Sequence, residues 1–167
     1  MSQAKWAACG CIIAATLALG GSYVQNALIY PALAIALCGT FWVEALLRSW
    51  RWPASPLLVI FTGATVYGAR QDFPPFFMLI AISAALSAWD LDHMLQRLAQ
   101  VRPGAVAPGI PRRHLMRLAA VNGLGLLVGG AALLFRLRLS FTLALLLSLV
   151  LFYALSQVVL FIRRTRD

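Results

Sequence analysis

The side chains best suited to acid–base or ion chemistry in this 167-residue sequence crowd into four positions: Asp90, Asp92 and His93, in the stretch "SAWDLDH" at 87–93. A carboxylate beside an imidazole can relay a proton, hold a cation, or serve as acid and base on a bound substrate. Helical phase sorts the three. Asp90, His93 and Arg97, at i, i+3 and i+7, share one face, and Leu91, Met94, Leu95 and Leu98 form an apolar stripe beside it. Asp92 points away from Asp90, so the two carboxylates form no dyad on this helix. Any second acidic group must come from another element.

Depth along the helices names that group. At 1.5 Å per residue, a helix entering a membrane at Ala27 reaches Glu44 after roughly 25 Å, and one entering at Phe73 reaches Asp90 after the same distance. Gln157 falls at a similar level on a last helix, and Asn122 alone sits deeper, roughly 11 Å from the edge where its helix begins at Leu115. The candidate ion or proton pocket is therefore Glu44, Asp90 and His93, with Arg48 or Arg97 nearby and with Asn122 and Gln157 further along the path. The competing reading is a solvated helix end, with Glu44 and Arg48 as an ordinary i, i+4 pair and Asp90, His93 and Arg97 as a local charge ladder.

The elements carrying these residues follow from composition. Hydrophobic residues make up 62% of the chain and charged residues 11%, more apolar surface than a soluble domain of this size can bury. Nearly uncharged runs of about twenty residues recur, the length that crosses a bilayer core of about 30 Å. The chain reads as all-α: a single polytopic transmembrane domain, 1–167, folded as a compact bundle of six helices over about 6–24, 27–47, 54–70, 73–98, 115–135 and 139–162. "RWPASP" and "DFPPFF" place prolines at the starts of the third and fourth spans, and Pro31 inside the second predicts a kink. "VRPGAVAPGIPRRH" closes the linker at 99–114.

Basic residues orient the bundle. With the N-terminus inside, Lys5, Arg48, Arg51, Arg97, Arg102, Arg112, Arg113, Arg117, Arg163, Arg164 and Arg166 fall on the inner side, against Arg70, Arg136 and Arg138 outside. Both termini are accordingly expected in the cytoplasm of a multi-pass cell-membrane protein, in a prokaryote's inner membrane. Trp6, Trp42, Trp50, Trp52 and Trp89 all fall near the inner boundary and read as interfacial anchors. The net charge of +9 then reports topology and contact with anionic headgroups through Arg97, Arg112, Arg113 and Arg117, and no basic domain is present to grip nucleic acid.

Several chemistries drop out. Cys9, Cys11 and Cys38 are odd in number, lack CxxC spacing and lie inside spans, so they read as buried small residues. The two histidines, His93 and His114, flank the linker and cannot clamp a haem at mid-membrane. HExxH, GxSxG and a phosphate-binding glycine loop are missing, and no catalytic residue, metal or cofactor is assigned. Small residues at four-residue spacing, Gly125 and Gly129 on one helix, Ala81 with Ala85 and Ala84 with Ala88 on another, favour close helix packing or a dimer seam.

Three functions fit. The favoured one is a non-catalytic accessory or assembly subunit of a larger membrane complex, its partners being lipids and other membrane subunits or a second copy. The second is a carrier or channel for a proton, small ion or small solute, working through Glu44 and Asp90. The third is an enzyme on a lipid-linked substrate, with His93 or Asp90 as acid or base and Arg97, Arg112 or Arg113 on a phosphate.

Overall fold

A computed structural model describes residues 3–50, 52–100 and 110–134, and in them the chain is entirely helical. The helices are α1 (Gln3–Gln25), α2 (Ile29–Leu47), α3 (Ala54–Arg70), α4 (Pro75–Gln100) and α5 (Ile110–Leu134). The sixth helix expected at 139–162 lies outside the described residues. α1, α2, Pro75–Ala99 of α4 and Arg113–Leu133 of α5 are long and apolar enough to cross a membrane, which makes this a membrane-embedded protein. α3, at 17 residues, reaches only about 26 Å.

Neighbouring helices alternate in direction. Lys5 at the start of α1 bonds to Ser49 just after α2, and Trp89, past the middle of α4, bonds to Ser55 at the start of α3. At the opposite end Tyr23, closing α1, meets Phe73 ahead of α4 and Tyr67 near the end of α3. The first of these ends gathers Lys5, Arg48, Arg97, Arg113 and Arg117, while Arg70 stands at the other.

Local chemistry explains the boundaries. Pro75 opens α4, Pro111 is the second residue of α5 and Pro31 the third of α2, all in first turns where the missing N–H has no helical partner to lose. Pro31 thus begins a helix; the kink expected there requires a full turn upstream, which the start at Ile29 does not supply. Ala27, Ser49 and Asp72, at φ 60°, 58° and 56°, terminate α1, α2 and α3 in the left-handed region. Around the first two, Leu28 N–H donates to the Tyr23 carbonyl and Trp50 N–H to the Ala45 carbonyl, the six-to-one bond of a Schellman cap. α5 starts five residues earlier than its expected start at Leu115, taking Arg112, Arg113 and His114 into the helix.

The core is the seam between α1 and α4, the most extensive contact in the structure. Ala8, Ala15, Ala81, Ala85 and Ala88 are fully buried there, and Ile12, Leu19 and Leu91 fill the gaps that small side chains leave. α2 approaches α1 closely enough that a methyl group on Gly39 would overlap the Thr16 side chain. Trp42 corrects the expectation of an interfacial anchor. It is 1% exposed and packs edge-to-face on Phe61, because it shares the buried stripe of α2 with Ile35, Gly39 and Leu46. Trp6 and Trp52 do face outward.

Candidate functional site

α5 sits on α4, its substantial contact among the described helices. Where the two meet, His114 Nε2 lies 2.7 Å from Asp90 Oδ2, so the ring N–H donates to the carboxylate. Both side chains are part-exposed, 34% for His114 and 41% for Asp90. Such a pair contributes up to about 1 kcal/mol, enough to fix a register but not to hold a helix. The early start of α5 makes it: four residues into the helix, the imidazole has turned toward α4.

The bridge divides a groove into two clefts. One, of about 320 Å³, runs from Asp90 and His114 to Trp89, His93, Met94 and Arg97. The other, of about 310 Å³, runs from the same pair to Arg117, Leu118 and Val121. The Trp89 indole N–H donates to Ser55 Oγ at 3.3 Å and its ring lies 4.4 Å from that of His93. His93 Nδ1 is 3.2 Å from the Trp89 carbonyl. A carbonyl only accepts, so Nδ1 carries the hydrogen.

The remaining candidates take separate places. Glu44, half exposed, pairs with Arg48 at 2.6 Å, and Asp90 with His114, so each of the two carboxylates has its own partner. Asn122 Nδ2 donates to the Leu118 carbonyl of its own helix at 3.0 Å. Arg97, Arg113 and Arg117 are exposed. Gln157 and the Arg112 side chain lie outside the described residues. No three His, Cys, Asp or Glu side chains converge as metal ligands among the described residues, and Cys9, Cys11 and Cys38 are free thiols.

Sequence alone leaves two groups without a place in the site. His114 falls at the end of the expected linker, since proline and glycine before it hide where α5 begins. Asp92 is 5% exposed and, with Lys5, Ser49 and Gln96, lines a separate cavity of about 190 Å³ on the α1 and α2 side of α4. Its signal was the apolar neighbour Leu95, which shares that face at i+3.

No protein family matches this chain, and no curated protein or solved structure does. A carboxylate that orients an imidazole between two open clefts can exchange a proton with either, and the arginine in each cleft can receive an anion.

Proposed function

We propose that this is a non-catalytic small membrane protein that works as a subunit of a larger membrane assembly, with α5 as its docking helix. The observation that carries this reading is the state of α5: between Arg113 and Leu133 no residue is buried, although the segment is apolar enough to cross a membrane. Val121, Leu124, Leu127 and Val128 face outward, and a methyl group on Gly123, Gly125 or Gly130 would meet open space. A helix with small residues free on its surface lets another backbone come close. The packed alanines of the α1–α4 seam support the same reading, since they leave a solid core between the two central helices. The full topology we propose has six membrane helices with both termini in the cytoplasm of a prokaryotic inner membrane, and reporter fusions at each terminus test it.

Purification in mild detergent tests the function. The subunit reading expects a defined complex, with a second copy or another membrane protein at fixed stoichiometry, and a solitary particle overturns it.

The Asp90–His114 pair favours a second reading, a carrier for a proton or small ion. It expects Asp90→Asn to abolish flux in proteoliposomes while the fold survives. Equal flux in variant and parent removes Asp90 from that mechanism.

A further inference from the structure

We propose that the groove between α4 and α5 binds the headgroup of a lipid carrying two phosphates, one in each cleft beside the Asp90–His114 bridge. Among the described residues, each cleft is lined by one guanidinium, Arg97 in the first and Arg117 in the second. Neither has a carboxylate within ion-pair distance among the described residues, where the ion pairs are Glu44–Arg48 and Asp90–His114. Asp90 is the acidic group that lines both clefts, and His114 already occupies one of its oxygens. What remains on offer is a guanidinium on each side of a fixed divider, and the His93 ring lines the first side with Nδ1–H turned to the Trp89 carbonyl.

Guanidinium groups bind phosphate oxygens through directed N–H donors, and basic pockets between membrane helices are where anionic headgroups settle. The apolar half of the ligand is equally well provided for. Met94 and Leu98 wall the first cleft and Leu118 and Val121 the second, a short apolar track inside the groove. Trp89 lines the first cleft, and the exposed Trp6, Trp50 and Trp52 gather at the same end of the bundle, the position tryptophan takes at the headgroup layer. A soluble diphosphate has no use for that apolar track. A lipid of the diphosphatidylglycerol class, with two phosphodiesters on a short linker, uses both clefts and the track together.

Native mass spectrometry of the full chain in mild detergent, titrated with diphosphatidylglycerol, phosphatidylglycerol or inorganic pyrophosphate, tests this. One arginine near a headgroup is worth about fivefold in affinity, so diphosphatidylglycerol should bind about fivefold tighter than phosphatidylglycerol. Arg97→Gln and Arg117→Gln should each lose about that factor and bring the two lipids level. Arg70→Gln, exposed at the opposite end of the bundle and outside both clefts, should change nothing. Equal affinity of the parent for the two lipids overturns the two-cleft arrangement, and so does an equal loss in all three variants, which is diffuse charge. Displacement of the lipid by pyrophosphate at similar concentration overturns the lipid as the source of the phosphates.

Discussion

Asp90 and His114, 24 positions apart, join α4 to α5 through a single 2.7 Å contact, Oδ2 to Nε2. No α5 residue between Arg113 and Leu133 is fully buried, but Leu115 and Leu118 pack partly buried on the core, and this contact adds a polar tie beside them. His114→Ala should raise amide exchange in the first half of α5 by up to about fivefold, the equivalent of about 1 kcal/mol, with the α1–α4 seam unchanged. Exchange measured by mass spectrometry checks this; unaltered α5 protection would mean that the pair is incidental.

Gly39 and Thr16 set the spacing of α1 and α2. Gly39→Ala should destabilise the bundle by about 1–3 kcal/mol through overpacking, and Thr16→Ala in the same chain should recover most of the loss. Gly10→Ala, where a methyl group meets open space, is the control and should leave thermal unfolding in detergent unchanged or raised.

Tyr23 ties three elements at the opposite end. Its hydroxyl donates to the Ala64 carbonyl at 2.8 Å, its ring stacks on Tyr67, and Phe73 meets it edge-on. Tyr23→Phe keeps both ring contacts and removes the hydrogen bond, for an expected loss of about 1 kcal/mol in denaturant titration. Tyr23→Ala should cost about 3–5 kcal/mol, because the ring is buried.

Ala27 closes α1 in the left-handed region with φ 60°. Ala27→Gly should be neutral or stabilising, since glycine adopts that conformation without a Cβ clash. Ala27→Val should cost about 1–3 kcal/mol by strain, and thermal unfolding of the pair of variants separates the two outcomes.

Much of this structure is legible in the residues. Long apolar runs marked the membrane helices, and prolines located the starts of α3 and α4 because a first turn is where they cost least. Asp90, His93 and Arg97, set on one face by phase alone, do line one cleft. Tertiary choices were not legible. Depth placed Glu44 and Asp90 at one level, but level does not fix azimuth, and Glu44 pairs with Arg48 on its own helix. His114 was hidden because an antiparallel pair joined by a linker can take many registers, and only the true start of α5 selects the one that meets Asp90. Trp42 reads by depth as an interfacial anchor, and the buried stripe through Ile35, Gly39 and Leu46 puts it in the core instead.

The docking role proposed for α5 depends on what its exposed face touches in the membrane. A photo-crosslinking residue at Leu127, 73% exposed on α5, or at Leu17, 68% exposed on α1, tests it in intact membranes. A docking helix gives one discrete protein product from Leu127, a dimer or a complex with a single other membrane protein, and lipid adducts alone from Leu17. Lipid adducts alone from both positions, or a Leu127 product confined to residues 135–167 of the same chain, would contradict it.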